Sequence, residues 1–337
     1  MKKVRFAVVG CGKISSSHFT GIMRAEEAEL TAVCDMNADI ANQKAQEYGV
    51  RAFTDYNELL QWDGVDAVCL CTPSGMHAEQ TIQAAEAGKH IVCEKPMAIH
   101  LEDAERMVEA CRKHGVKLTV IFPRRVSPVS QFVKKFLDEG GLGKLSMCSA
   151  SIKFYRDQAY YDSAGWRGTW AMDGGGALMN QGIHTVDLLH WLAGPVASLH
   201  GYADHVLRDI EVEDTSVAIL RYQNGALGTI EATTTSYNQP EHQLVFHGEK
   251  GTLILTGDQI TALDLIDKKE QESLELPEFP PFRIVPDGQA FQIRDMAQAI
   301  LEDREPIVTG ESGIASLEII LGIYQSQRTG QSIQFND

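Results

Sequence analysis

No stretch of the 337-residue sequence approaches the roughly 18 consecutive apolar residues that a membrane-spanning helix requires. Cations are scarce: 30 Lys and Arg against 46 Asp and Glu give a net charge of −16. That balance argues against a nucleic-acid or anionic-membrane surface, both of which need basic patches. It leaves room for a local phosphate site built from backbone N–H groups. The seven cysteines include no C-x-x-C pair. Cys34, Cys69, Cys71 and Cys93 lie in apolar, strand-like segments, so buried, reduced thiols and a cytoplasmic setting are expected. The start, MKKVRFAVVGCG, carries only about five apolar residues before its glycines, too few for a secretory signal. Internal repeats and low-complexity linkers are also lacking.

What is present reads as two domains, the usual outcome at this length. Short apolar runs at 4–10, 29–35, 65–73, 89–96 and 116–122 are continuous rather than alternating, as in parallel strands covered on both faces. Helical patterns at 13–25, 38–48, 75–88 and 101–114 separate them, with Gly88 and Gly115 placed as helix-ending glycines. The expectation is an α/β fold: a doubly wound parallel Rossmann sheet over residues 1–122. After Pro123 the strands lengthen and alternate, and RYQNGALGTI carries an Asn-Gly hairpin signal. Residues 123–337 are therefore expected to form an α+β domain with a large, mostly antiparallel open sheet. Its closing helices, near 288–303 and 311–327, are free to pack back on the first domain.

GCGKIS follows the first strand and opens the first helix. Gly10 permits the tight turn, and Gly12 lets a pyrophosphate approach the helix N-terminus, where free N–H groups and the dipole favour anions. Ser15 is small enough for close helix–strand packing. Asp35, twenty residues on, would accept hydrogen bonds from ribose hydroxyls. No Arg follows it closely, so NAD is expected rather than NADP.

Two more motifs, CTPSGMHAE and CEKPMA, end parallel strands at the sheet edge that binds ligands in such folds. Lys95 in the second would help a substrate hydroxyl lose its proton. Pro96 and Pro73 fix the two loops, each with the option of a cis bond. His77 is expected to hold the cofactor loop. In GGGALMNQGIHTVD, three glycines allow close approach, and Asn180, His184 and Asp187 would share one face of an α-helix. His184 can exchange a proton near neutrality and Asp187 could orient it. His190, on another face, argues against a metal site. KFYRDQAYYDSAGWRGTW supplies Tyr155, Tyr160, Trp166 and Arg167 as aromatic and arginine ligand-binding candidates, and Arg124 and Arg125 follow the fifth strand.

G-x-G-x-x-S, Asp35, TPSGMH, EKP and GGGALMNQGIHTVD, in this order, resemble the glucose–fructose oxidoreductase / inositol dehydrogenase / MocA family across essentially the whole chain. The resemblance implies a Rossmann domain plus a domain whose open sheet faces a partner subunit, giving homodimers or homotetramers. It implies cofactor contacts from Gly10, Gly12, Lys13, Ile14, Asp35, Cys71, Thr72, Pro73, His77, Glu94, Lys95 and Arg124. Lys95 and His184 would flank the nicotinamide and the sugar carbinol, with Tyr155, Trp166, Arg167 and Asn180 on the substrate. Asn180 stands where the family often has Asp, which moves the acid–base burden to His184 and Lys95. The expected activity is NAD-dependent hydride transfer from a secondary alcohol of a sugar, cyclitol or sugar derivative. Two alternatives are a redox-neutral sugar enzyme that recycles bound NAD, and an NAD-sensing binding protein.

Overall fold

The computed structural model describes residues 2–335. The chain divides into two compact units, Met1–Val126 with Phe282–Ile314, and Ser127–Pro281 with Ala315–Asp337. Residues 123 onward, read from the sequence as the second domain, thus contribute Pro123–Val126 and Phe282–Ile314 to the first unit.

In the first unit β1 (Val4–Val9), α1 (Ser15–Arg24), β2 (Ala28–Cys34), α2 (Ala38–Tyr48), β3 (Arg51–Phe53), α3 (Tyr56–Gln61), β4 (Ala67–Leu70), α4 (His77–Glu86), β5 (His90–Cys93), α5 (Leu101–His114) and β6 (Leu118–Val120) follow in turn. The strands form one parallel sheet in the order β3-β2-β1-β4-β5-β6. Their continuous apolar runs are explained by two-sided cover: Phe6, Val8, Val33, Val68, Ile91 and Val92 are all fully buried. Gly88 and Gly115 adopt the left-handed conformation that ends α4 and α5. β3 and α3 are additions to the sequence reading. β3 is too short to show periodicity, and α3 is started by the Asp55 carboxylate, which accepts from the Asn57 and Glu58 N–H groups.

The returning segment completes this unit's core. Its long helix, numbered α10 in chain order (Gln289–Glu302), lies against α1 closely enough that a Cβ on Gly21 would stand 2.6 Å from Ile293 Cδ1 and 3.2 Å from Ala290 Cα. Ile293 and Met296 are fully buried in the cluster that holds Phe19 and Ile22. Burying each such side chain contributes about 1.5–3 kcal/mol, so the returning helix is part of the core.

The second unit contains α6 (Pro128–Asp138), β7 (Leu145–Lys153), α7 (Gln158–Asp162), α8 (Ile183–Ala193), β8 (Val196–Asp204), β9 (Thr215–Tyr222), β10 (Leu227–Thr233), β11 (Gln243–Gly248), β12 (Gly251–Thr256), β13 (Gln259–Leu265) and α9 (Lys268–Ser273). Helix α11 (Gly310–Thr329) begins in the first unit and continues here, before β14 (Ile333–Gln334). The strands form an eight-stranded sheet in the order β13-β12-β11-β7-β10-β9-β8-β14. Among the described residues all its pairs are antiparallel except β7 with β10. The Asn224-Gly225 turn joins β9 to β10, with Gly225 at φ +89°.

Alternation sets the two faces of this sheet. In β9 Ser216, Ala218, Leu220 and Tyr222 are buried, while Val217 and Ile219 point outward. Register aligns the outward set: Tyr202 opposes Val217, and Leu227 lies between Arg221 and Met147. Ile219 and Tyr202 are each 63% exposed, so one face of the sheet carries an apolar stripe open to solvent.

Candidate active site

The glycine loop of the first unit is shaped by the chain crossing beside it. Gly10 has φ +83°, and a Cβ there would stand 2.9 Å from the Cys71 carbonyl, so only glycine fits. At Gly12 a Cβ would meet nothing within 4 Å, which leaves open space over the start of α1. No side chain caps that helix. Uncapped N–H groups beside an open glycine fit a pyrophosphate. Lys13 is exposed, Ile14 is half-buried and Cys71 is buried. Asp35 is tied to the loop itself: Oδ2 accepts from the Cys11 N–H and Oδ1 from the Asn37 N–H, both at 2.9 Å. The acid expected to read the ribose is thereby held in register with the loop expected to hold the phosphates.

Lys95 is half-buried in a turn gripped from both sides. Glu94, six per cent exposed, receives His18 Nε2 at 2.8 Å on Oε1 and the Lys95 N–H at 3.3 Å on Oε2. Burial alone would push the His18 pKa down, but the surrounding thiols and the Glu94 carboxylate outweigh it and raise it well above the usual imidazole value. Burial likewise pushes Glu94 up, and His18 and then Lys95 bring it below the ordinary carboxylate value. On the other side His77 Nδ1 lies 2.8 Å from the Pro96 carbonyl oxygen and Nε2 2.9 Å from that of Thr72. Burial holds the His77 pKa below its ordinary value, so the neutral ring donates to one carbonyl and sits against the other. Thr72 Oγ1 donates to Gln80 Oε1 at 2.6 Å. The Lys95–Pro96 bond is cis and the bond before Pro73 is trans. Arg124 is half-buried, while Arg125 is buried, donating to the Ser312 carbonyl at 3.0 Å.

In the second unit the opening of the glycine-rich helix departs from the expected geometry. Ala177–Gly182 is π-helical, and α8 begins only at Ile183. The i, i+4, i+7 alignment of one continuous α-helix therefore does not apply across Asn180, because a π turn winds more residues per turn. Asn180 and His184 are half-buried, whereas Asp187 is fully buried. The close approach predicted for the glycines is to protein backbone: a Cβ on Gly176 would lie 1.9 Å from the Glu213 carbonyl oxygen. Glu213 organises the hinge. Its carboxylate accepts from the Gly176 and Leu178 N–H groups and the Tyr324 hydroxyl, each at 2.8 Å.

Around Asn180 runs a continuous polar chain. Its amide donates to Asp173 Oδ1, and its Oδ1 accepts from Gln181 Nε2 at 2.9 Å. Gln181 Oε1 accepts from Arg156 Nη2 at 2.8 Å, and Gln181 also donates to the Tyr160 hydroxyl at 3.2 Å. That hydroxyl accepts from Arg167 Nη1 at 2.7 Å. The Arg156 and Arg167 guanidinium carbons lie 5.1 and 4.6 Å from the Tyr160 ring centre, and Arg167 is also 4.6 Å from that of Trp166. Arg208 lies over Tyr155 and donates to the Arg156 carbonyl at 2.7 Å. Among the described residues, Arg156, Arg167 and Arg208 have no Asp or Glu within ion-pair distance. The structure thus gathers Tyr155, Tyr160, Trp166, Arg167 and Asn180 into one cluster. Arg156, Arg208, Asp173, Gln181, Glu213, Tyr324 and His18 escaped sequence reasoning. Of these, only Asp173 carried a local signal, standing directly before the three glycines.

Residues 4–122 match the family described as "Oxidoreductase family, NAD-binding Rossmann fold", and residues 130–254 match the "GFO/IDH/MocA C-terminal domain". The chain belongs to the GFO/IDH/MocA oxidoreductase family. It is 38% identical to the WlbA dehydrogenase of Bordetella pertussis, solved with NADH and UDP-GlcNAcA, at TM-score 0.91 over 100% of both chains. It is 34% identical to the WlbA dehydrogenase of Chromobacterium violaceum, solved with the same two ligands, at TM-score 0.91 over 100% of this chain and 97% of that one. It is 26% identical to the myo-inositol 2-dehydrogenase of Thermotoga maritima over 99% of each chain. The first unit is an NAD-binding Rossmann domain, and the protein is an oxidoreductase.

The hinge carboxylate has a measurable signature. Burial lifts the Glu213 pKa from its ordinary 4.5 to about 7, outweighing its three donors. A folded pKa above the unfolded one means that Glu213 stabilises fully below about pH 4.5, a contribution lost as pH rises through about 7. Glu213→Gln removes this dependence. Its stability deficit against wild type is expected to shrink between pH 5 and pH 8 in thermal unfolding; a deficit constant over that range contradicts the assignment.

Proposed function

We propose that this oxidoreductase uses NAD to oxidise a secondary hydroxyl on an anionic nucleotide sugar. The observation that carries this reading is the set of three arginines without acidic partners among the described residues, Arg156, Arg167 and Arg208, in a chain of net charge −16. Where acids outnumber bases, leaving three guanidiniums unpaired beside Tyr155, Tyr160 and Trp166 suits a ligand that brings its own phosphate or carboxylate. The two WlbA relatives solved with UDP-GlcNAcA support that class.

NAD, when bound, supplies the hydride acceptor at its nicotinamide ring. Gly10, Gly12, Lys13 and Ile14 would hold its pyrophosphate, and Asp35 would receive the ribose hydroxyls. Asp35 would meet a 2′-phosphate as a like charge, which favours NAD over NADP. The Lys95 ammonium polarises the substrate oxygen and stabilises negative charge growing on it. His184 takes the hydroxyl proton as the C–H bond breaks. Asn180 cannot titrate and serves to hold the sugar. Glu94, with His18, and His77 fix the Lys95 turn.

Lys95→Ala and His184→Ala are each expected to lower kcat about 10²–10⁴-fold, the usual range for proton-transfer and electrostatic groups, with NADH binding near wild type by fluorescence. Normal turnover in both variants sinks the assignment. The substrate is sought in a panel of nucleotide sugar acids, neutral nucleotide sugars, free sugars and inositols, read by NADH absorbance. Turnover confined to neutral free sugars contradicts the anionic class, and product without net NADH points to recycled cofactor.

We further propose that the exposed stripe of Tyr202, Val217, Ile219 and Leu227 packs against a second copy of this chain, as a homodimer or homotetramer. Val217→Lys with Ile219→Lys is expected to yield a monomer in light scattering. An unchanged mass rules this surface out.

A further inference from the structure

Two side-chain contacts, one at each end of its amide, orient Asn180. Asp173, two per cent exposed, accepts the Gly168 N–H at 2.9 Å on Oδ2 and the Asn180 amide on Oδ1. A buried carboxylate flanked by donors acts as an acceptor, so the side chain at position 180 must turn an N–H toward it. At its other end Asn180 meets the Gln181 amide at 2.9 Å, which needs an acceptor. An amide supplies both. An aspartate has the same shape, but it would set acceptor against acceptor and negative charge against negative charge, and two carboxylates so close cannot both ionise.

We propose that Asp173 is the positioning residue of Asn180: it dictates an amide at position 180 and fixes which end faces which way. The acceptor of this pair lies on the loop that leads into the three glycines, one step removed from the helix. Asn180 presents a neutral group of defined orientation, and through Gln181 that orientation passes to Arg156 and Tyr160. The consequence for turnover rests on the reading of Asn180 as a sugar-holding group; the pairing itself does not.

The test is a reciprocal exchange in the full chain: N180D, D173N, the double variant D173N/N180D, and N180A as a neutral truncation. Thermal unfolding needs no substrate. N180D is expected to lose about 4–8 °C in Tm, the shift for about 2 kcal/mol lost when acceptor faces acceptor in a buried contact of a chain of this size. D173N/N180D, with one carboxylate and one amide restored in exchanged places, is expected to recover more than half of that loss. N180A, which removes the amide without adding charge, is expected to lose less than N180D. N180D as stable as wild type, an exchange no better than N180D, or N180A falling further than N180D overturns the pairing. Should N180D not fold, recovery of folded protein in the exchange supports the pairing, and failure to recover any overturns it.

With a substrate from the panel, D173N is expected to raise the sugar KM about tenfold at nearly unchanged kcat, as for lost ground-state binding, while the NADH Kd stays within about twofold. A Tm rescue with an unchanged KM leaves the pairing standing and removes only the sugar-holding role of Asn180. A lowered Tm in D173N with no rescue and no KM effect reduces Asp173 to a structural residue and overturns the proposal.

Discussion

Several irregular turns of this protein, those of the proposed site among them, are each fastened by a carboxylate that has been taken wholly or partly out of water to collect backbone N–H groups. Asp35 receives the Cys11 N–H of the glycine loop, Glu94 that of Lys95, Asp173 that of Gly168, and Glu213 those of Gly176 and Leu178. Asp214 adds Val206, Leu207 and Arg208. Irregular backbone lacks ladder partners, and an orphaned buried N–H is costly. An ionised carboxylate offers several strong acceptor sites in a small volume, so one side chain can fix a whole turn. The acid excess of the sequence is therefore partly an internal framework.

The energetic cost of that framework differs from site to site, and the difference sorts the roles. Glu94 is balanced by an imidazolium and stays ionised. Asp214 is fully buried but carries three N–H donors and a hydroxyl, which hold its pKa low against burial. Glu213 is held by neutral donors, and burial prevails over them. Carboxylates occupied in this way are not available to take a proton from a sugar, which is consistent with assigning that step to His184.

The parallel sheet was legible because its strands are buried on both faces, and that leaves unbroken apolar runs in the sequence. The alternating strands of the second unit, the Asn224-Gly225 turn and the α/β class were legible for the same kind of reason: each has a local pattern. Gly10, Gly12 and Asp35 could be read because their spacing is set by one β–α–β unit. What escaped is what depends on distant partners. His18 is one more polar residue on a helix until Glu94, 76 positions later, arrives beside it. Arg156 and Arg208 look like surface cations until the fold shows that no acid among the described residues meets them. The π turn at Ala177–Gly182 is invisible to a 3.6-residue template, and it takes Asn180 off the α-helical face that His184 and Asp187 still share.

The parallel pairing of β7 with β10 in the second sheet bears on how the molecule comes to exist at all. β7 lies between β10 and β11, so Ala150 is flanked by Ile230 and Leu244, both far downstream. During synthesis β7 emerges well before either neighbour and must wait with both edges unsatisfied. Hairpins such as β8–β9–β10 and β11–β12–β13 can close locally, but β7 is the strand that welds them into one sheet. Assembly of this unit is thus governed by non-local closure, which slows folding and lengthens exposure of a sticky edge. The sheet that carries the apolar stripe is also the part of the chain most in need of protection on the ribosome.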